Sequence, residues 1–452
     1  MNAGTHNYAI VTAAYWGFTL TDGALRMLVL LHFFQLGYSP FTLALLFLLY
    51  EAAGIGANLI GGWLATRFGI ARMLAVGLST QIAGFLLLSA MAPGWSAALS
   101  VAWVVLAQGV CGVAKDLTKT ASKSAIKLIH DSTSGAAADS RLRATPSADR
   151  TQGGAFGAAA DSRLRATPSA DRTPGDASGR LFRWVAFFTG SKNAMKGAGF
   201  FLGGLLLEAL GFRGALWAMA AMLGAILVAV VLSLPPLMGR AKASKSAREL
   251  FAKNRGVNLL AGARVFLFGA RDVWFVVGLP VFLYASGWTF TMVGGFLAVW
   301  TIGYGVIQAA APALIRKSAD GLSSEVPAAR VWSLGLAIIP ALLAVLMIAG
   351  APRPDITIPV GLCLFGVAFA VNSSVHSYLV LAYAGSEKAA EDVGFYYAAN
   401  AAGRFAGTLL SGLLYAWAGI TACLVGSALM LALCWLLTLA LPSAAAPRPA
   451  TA

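Results

Sequence analysis

About twelve long apolar stretches recur along the chain, and they constrain its fold more than any other feature. Each approaches the roughly 20 residues that an α-helix needs to cross a bilayer. Only 11% of the residues are charged, against about 25% in soluble globular proteins. We therefore predict an all-α polytopic membrane protein with twelve transmembrane helices. Their approximate centres are Phe18, Gly54, Gly84, Val110, Phe201, Leu223, Phe268, Val299, Ile338, Val367, Gly403 and Leu431.

Basic residues predict the orientation of these helices. Lys and Arg concentrate in alternate connections, at Arg67 and Arg72 and within 127–183, 240–255 and 316–330, whereas the other connections hold little beyond Arg213 and Arg353. Because basic loops stay on the cytoplasmic side, both termini are expected to be cytoplasmic. The net charge of +15 is then explained by topology, and nucleic-acid binding is not predicted.

The two halves of the chain repeat each other. Sliding the sequence along itself places Asp22 on Asp272 and Gly37 on Gly287, so the first helix corresponds to the seventh. Further along, Lys196 falls on Arg404 and the fifth helix corresponds to the eleventh, once an inserted tract is removed. Two parallel six-helix halves are the repeat pattern of the major facilitator fold, in which substrate binds between the halves near the bilayer midplane.

The predicted organisation has six parts. Within the second, GAAADSRLRATPSADRT at 135–151 recurs unchanged at 157–173, and its polar composition predicts disorder. The parts are helices one to four (1–131), a disordered cytoplasmic insert with this duplicated segment (132–178), helices five and six (179–234), a cytoplasmic linker (235–258), helices seven to twelve (259–441) and a cytoplasmic tail (442–452).

A short motif between the second and third helices predicts a cytoplasmic gate. The sequence GWLATRFGIAR resembles the loop that major facilitator transporters carry there, although Thr66 stands where an acid is usual. The candidate gate residues are Gly62, Arg67, Gly69 and Arg72.

Ionisable side chains inside the predicted helices are the main functional signal. Each costs about 2.5–3.5 kcal/mol at a helix centre on insertion scales, so it persists where it is paired or faces water. The surplus of cations predicts a substrate with several negative charges, because ammonium and guanidinium groups bind oxyanions through charge-assisted hydrogen bonds. The candidate substrate-binding residues are Arg26, Lys115, Lys119, Lys192, Lys196, Arg264, Arg271, Arg404, Asn372 and His376. The candidates for proton coupling or charge pairing are Asp22, Glu51, Asp116 and Asp272.

Several of these residues have two interpretations. Asp22 and Arg26 lie one turn apart and can pair, either to pack the first helix or to line a cavity opposite Arg271 and Asp272. Lys115 and Lys119 would be a solvated flank if the fourth helix ended before them. The motif GVA at 112–114 recurs at 366–368 in a longer helix, so we expect the fourth helix to continue past Lys123.

Three stretches resemble the organoarsenical efflux permease family (ArsJ) of the major facilitator superfamily. They are NYAIVTAAYWGFTLTDGALRMLVLLHFFQLGYSPF from Asn7, AKDLTKTASKSAIKL from Ala114 and FTGSKNAMKGAGFFLGG from Phe188. The resemblance covers nearly the whole chain apart from the duplicated tract. It implies export of 1-arseno-3-phosphoglycerate across the bacterial inner membrane. A glyceraldehyde-3-phosphate dehydrogenase that forms this compound from arsenate is then the functional partner.

The expected mechanism is alternating access in a monomer, coupled to protons through Asp22, Glu51 or Asp272. No cofactor or metal is expected, because the chain has no P-loop and its four cysteines have no CxxC spacing. One alternative is a facilitator that exports another phosphorylated or carboxylated organic anion. A second, from another class, is an integral-membrane enzyme or sensor, for which the sequence offers no catalytic triad or appended soluble domain.

Overall fold

The computed structural model describes residues 3–92, 94–143, 174–235, 255–315, 318, 322–383 and 389–443. Side-chain positions are described within these ranges except at 3–5, 8, 58–67, 123–143, 174–190, 312, 381 and 389–394. The described residues form helices without β-strands. The helices are α1 (Ala3–Gln35), α2 (Pro40–Phe68), α3 (Ile70–Ser89), α4 (Ala97–Arg143), α5 (Pro174–Ser233), α6 (Arg255–Phe275), α7 (Gly278–Ala285), α8 (Phe290–Leu314), α9 (Glu325–Ile348), α10 (Pro354–Tyr383) and α11 (Ala389–Leu439).

Ten segments of the described chain are long and apolar enough to cross a membrane. Two of them, Ser191–Ser233 and Phe395–Leu439, have 43 and 45 residues, about twice the length that one crossing requires. Each contains a break in helical geometry, at Gly211 in α5 and at Ala418 and Gly419 in α11. Each segment therefore supplies two crossings, which agrees with the predicted twelve helices.

Backbone geometry repeats between the halves at the positions that the sequence aligns. Gly37 has a φ of 83° after α1, and its counterpart Gly287 has a φ of 93° after α7. The breaks within α5 and α11 form a second pair, with φ of 66° at Gly211 and 63° at Gly419. A positive φ is readily adopted by glycine, which has no Cβ. The repeat in the sequence is thus also a repeat of turns.

Helix pairing follows the same symmetry. Within the halves α1 packs on α5, and α6 packs on α11; between the halves α2 packs on α11, and α5 packs on α8. Glycines make the first two contacts close. A Cβ at Gly199 would lie 2.2 Å from the Leu20 carbonyl oxygen, and one at Gly403 would lie 2.2 Å from the Val265 carbonyl oxygen. Small residues of this kind let membrane helices approach closely, so the glycine-rich stretch in α5 is a packing surface.

Four predicted boundaries differ from the structure. Helices α4 and α5 extend into the predicted disordered insert, ending at Arg143 and beginning at Pro174, and residues 144–173 lie outside the described part. Helix α6 begins at Arg255, inside the predicted linker. The predicted gate loop is shorter than expected, because α2 continues through Phe68 and only Gly69, with a φ of 81°, separates it from α3.

Candidate functional site

A buried carboxylate on α2, Glu51, lies where cations from both halves meet. Its side chain is 1% exposed, and its Oε1 atom accepts hydrogen bonds from the guanidinium groups of Arg26 on α1 and Arg404 on α11. The Arg404 Nη2 atom lies 2.6 Å from this oxygen. The Lys115 Nζ atom on α4 lies 3.8 Å from the other carboxylate oxygen. Glu51 therefore draws together three cations from three helices.

The ion pairs continue from Glu51 in both directions. In the C-terminal half, Arg404 Nε donates to Asp272 Oδ2 at 3.2 Å, and Arg271 Nε donates to Asp272 Oδ1 at 2.7 Å. On α4, Asp116 lies 3.8 Å from Lys115 Nζ and 3.3 Å from Lys119 Nζ. We call this set the central ion network. Its members are Arg26, Glu51, Lys115, Asp116, Lys119, Arg271, Asp272 and Arg404.

The accessible side of the central ion network is cationic. The carboxylates of Glu51, Asp116 and Asp272 are 1–2% exposed, whereas four cations keep 14–19% of their side chains exposed. These four are Lys115, Lys119, Arg271 and Arg404. Because the acids lie beneath the bases, an anion approaching the network meets ammonium and guanidinium groups first.

Asp22 and Arg26 do not form the pair that their spacing suggested. Asp22 accepts a hydrogen bond from the Tyr50 hydroxyl, and Arg26 binds Glu51. Both side chains reach toward α2, where the neighbouring residues Tyr50 and Glu51 each satisfy one of them. Tyr50 also places its ring centroid 3.8 Å from Lys115 Nζ. Sequence reasoning missed Tyr50, although its position directly before the intramembrane Glu51 was a usable signal.

Lys196 on α5 adds a further basic side chain beside the network. Its electrostatic neighbours are Arg26 and Arg404, as well as the acids Asp22 and Glu51. Among the described residues no carboxylate lies within ion-pair distance of its ammonium group, which is 5.8 Å from the Phe200 ring centroid. Lys192 lies half-buried one turn earlier on the same helix. With Lys196 and Asp22 included, this region therefore contains six basic side chains and four carboxylates.

Three predicted binding residues form a different cluster in the C-terminal half. Arg264 on α6 donates to the Ser373 carbonyl oxygen and hydroxyl at 3.2 and 3.1 Å. Asn372 exchanges hydrogen bonds with Ser333 on α9, and His376 is fully buried. No hydrogen bond or ion pair between described side chains joins Arg264, Asn372 or His376 to Glu51.

The remaining predictions concern the fourth helix and the gate. Helix α4 runs on to Arg143, so the prediction that it continues past Lys123 is confirmed, and Lys115 and Lys119 lie in a candidate membrane span. Among the gate residues, Arg72 is exposed at the start of α3. Gly62 lies within the last turns of α2, and the side chain of Arg67 lies outside the described residues.

The described residues contain no group of His, Cys, Asp or Glu that could hold a metal ion. The four cysteines Cys111, Cys363, Cys423 and Cys434 are all free thiols. The chemistry that the central ion network itself offers is ionic. Guanidinium and ammonium groups from both halves are placed to exchange an internal carboxylate for an external oxyanion.

Comparisons with known proteins identify the class of the fold. No family model and no curated protein matches the sequence. The fold is similar to the crystal structure of the human organic anion transporter MFSD10 (TETRAN), with a TM-score of 0.58 and 16% identity over 96% of this chain and 98% of that one. It is also similar to the crystal structure of a point mutant of the nucleoside transporter NupG, with a TM-score of 0.63 and 14% identity over 97% and 99% of the two chains.

The chain is therefore a multi-pass membrane protein with the major facilitator fold. Identities of 14% and 16% show the fold alone. The substrate has to be argued from the site, because one fold hosts many functions.

Proposed function

We propose that the protein is an efflux transporter that exports 1-arseno-3-phosphoglycerate and thereby confers arsenate resistance. The observation that carries this proposal is the arrangement around Glu51, where recessed carboxylates hold accessible cations from both halves. A compound with phosphate and arsenate groups carries several negative charges, and guanidinium groups bind such oxyanions through paired hydrogen bonds. The sequence resemblance to the organoarsenical permeases supports the arsenical over other anions.

Substrate contact is proposed for Arg26, Lys115, Lys119, Lys196, Arg271 and Arg404, with Lys192 at the edge of the site. An oxyanion that reaches Arg404 competes with Glu51 and Asp272 for the same guanidinium group. Since Glu51 and Arg404 belong to different halves, that competition weakens a contact between the halves. Binding can then be followed by a rocking motion that opens the other side.

The proposed exporter works by alternating access in the bacterial inner membrane, as a monomer with both termini in the cytoplasm. A glyceraldehyde-3-phosphate dehydrogenase supplies the substrate from arsenate. Proton exchange is the proposed energy source, with Asp22, Glu51 and Asp272 as candidate carriers. Export of an anion also gains about 2.3 kcal/mol per charge for each 100 mV of inside-negative potential.

A second candidate is an exporter of another phosphorylated or carboxylated organic anion. Ammonium and guanidinium groups bind phosphate, arsenate and carboxylate oxygens alike, so the central ion network does not select arsenic by itself. MFSD10, a structural neighbour at 16% identity, is described as an organic anion transporter. This candidate shares every basic residue with the first, and only the transported compound separates the two.

Uptake by everted membrane vesicles tests the proposal. The vesicles receive radiolabelled arsenate with glyceraldehyde-3-phosphate, NAD and the purified dehydrogenase. Parallel samples omit the enzyme or replace the labelled arsenate with radiolabelled phosphate. We expect label to accumulate only with the enzyme and arsenate. Equal accumulation of the phosphate product would favour the second candidate, and accumulation of free arsenate without the enzyme would exclude the organoarsenical.

A further inference from the structure

The cluster around Arg264 holds a buried positive charge without a counter-charge among the described residues. Arg264 is 3% exposed, and its Nη1 donates to the Ser373 carbonyl oxygen and hydroxyl. Its Nε atom has no hydrogen-bond acceptor in the described part of the chain. No described carboxylate lies within ion-pair distance of its guanidinium group. Buried charges in proteins are normally paired, because leaving water without a partner is costly.

His376 presents a second unmet donor in the same cluster. Its side chain is 0% exposed, and neither ring nitrogen has a partner among the described residues. A neutral imidazole always carries one N–H, which requires an acceptor when it is buried. Arg264 donates to Ser373, which lies three residues before His376, one turn away on the same helix α10. Two nitrogen groups from α6 and α10 are thus buried together and lack an acceptor in the part of the chain that the structure describes.

The surroundings of the Arg264 guanidinium group are aromatic. The Arg264 guanidinium carbon lies 4.0 Å from the Phe268 ring centroid and 4.8 Å from the Tyr396 ring centroid. The Phe268 ring also lies 4.9 Å from the guanidinium carbon of Arg271, which belongs to the central ion network. Phe268 therefore contacts both arginines, but their hydrogen-bond partners differ: Arg264 binds Ser373 and Arg271 binds Asp272.

We propose that Arg264 and His376 bind a small monovalent inorganic anion of the chloride type within the C-terminal half. One negative charge neutralises the single guanidinium, and a spherical anion accepts N–H bonds from two directions. A substrate with two oxyanion groups would need more cations than this cluster offers. The site is independent of the substrate proposed above. The bound anion would link Arg264 on α6 to His376 on α10.

Thermal unfolding of the purified full-length protein in detergent tests this site. The protein is titrated from 0 to about 300 mM sodium chloride, with sodium gluconate keeping the ionic strength constant. At about ten times the dissociation constant, we expect the unfolding midpoint to rise by about 2 °C. Arg264→Gln should abolish the rise, whereas the matched variant Arg271→Gln, two turns further along the same helix, should retain it.

Three results would overturn the proposal. They are no chloride-dependent rise in the unaltered protein, a full rise in Arg264→Gln, and loss of the rise in Arg271→Gln but not in Arg264→Gln. If Arg264→Gln fails to fold, His376→Leu takes its place with the same expectation. Bromide soaked into crystals gives an independent measurement, since its anomalous peak must lie between Arg264 and His376. None of these results depends on which compound the protein exports.

Discussion

Arg404 and Glu51 join the two halves of the protein through one charged hydrogen bond. They lie on α11 and α2, and the Arg404 Nη2 atom is 2.6 Å from Glu51 Oε1. Arg404 also reaches Asp272 through its Nε atom, so one guanidinium links carboxylates of both halves. Any motion that separates the halves at this point has to replace these bonds.

Removal of the Glu51 carboxylate should destabilise the protein and expose its cations to other anions. Glu51→Gln leaves Arg26 and Lys115 with less negative charge nearby, and breaking a buried pair costs about 3–5 kcal/mol. We expect a lower unfolding midpoint, which inorganic phosphate at millimolar concentration should raise more than in the unaltered protein. Glu208→Gln, at an exposed bond to Thr291, is the control. Equal phosphate responses in all three proteins would contradict the role of Glu51 as the internal counter-ion.

Substitution of lysine for Arg404 should impair transport even though the charge is kept. Arg404 uses two nitrogens to hold Glu51 and Asp272, and a single ammonium group cannot reproduce that geometry. Loss of one charge-assisted bond, about 1.5–3 kcal/mol, predicts a fall in vesicle uptake of at least about tenfold. Arg353→Lys changes an exposed pair with Asp355 and should leave uptake unaltered. Normal uptake by Arg404→Lys would show that simultaneous binding of Glu51 and Asp272 by one guanidinium group is dispensable.

Lys196 is expected to destabilise the fold but to be required for transport. It lies near Arg26 and Arg404, and no described carboxylate lies within ion-pair distance of it. Lys196→Met removes a buried amine and its repulsion by the two arginines, so the unfolding midpoint should rise by about 1–2 °C while uptake is lost. Both quantities are measured on the same preparation. A lower midpoint would mean that the lysine stabilises the fold, which is the reverse of the expectation.

Close helix contacts at the glycines of α5 predict a sharp difference between two alanine variants. A Cβ at Gly199 would lie 2.2 Å from a backbone oxygen of α1, whereas nothing lies within 4 Å of one at Gly224. Gly199→Ala should lower the free energy of unfolding by about 1–3 kcal/mol. Gly224→Ala should be neutral or stabilise by up to about 1 kcal/mol, because alanine favours helix. Equal unfolding temperatures of the two variants would contradict the expected effect of the close contact at Gly199.

The sequence was sufficient for the fold because membrane helices are recognisable by their length and hydrophobicity. The alignment of Asp22 with Asp272 and of Gly37 with Gly287 revealed the two halves, and the matched φ angles of these glycines follow from it. Helix count was harder to see in the structure than in the sequence, since α5 and α11 each contain two crossings.

The pairing of charges was less accessible to sequence reasoning. Spacing on one helix suggested that Asp22 binds Arg26, but the partners Tyr50 and Glu51 come from α2. Spacing describes neighbours on the same helix, whereas ion pairs inside a bundle depend on how helices are rotated against each other. For the same reason, the list of cations could not separate Arg264 from the central ion network.

In the proposed exporter, the bond between Arg404 and Glu51 also has a consequence for the state without substrate. Without a bound anion, Arg404 stays bound to Glu51 and Asp272, so this contact between the two halves remains closed. In the proposed exporter, phosphate metabolites that bind weakly should therefore not displace Glu51 from Arg404, and little of them should leak through. The strength of the bond between Glu51 and Arg404 thereby sets the minimum affinity that a transported anion needs.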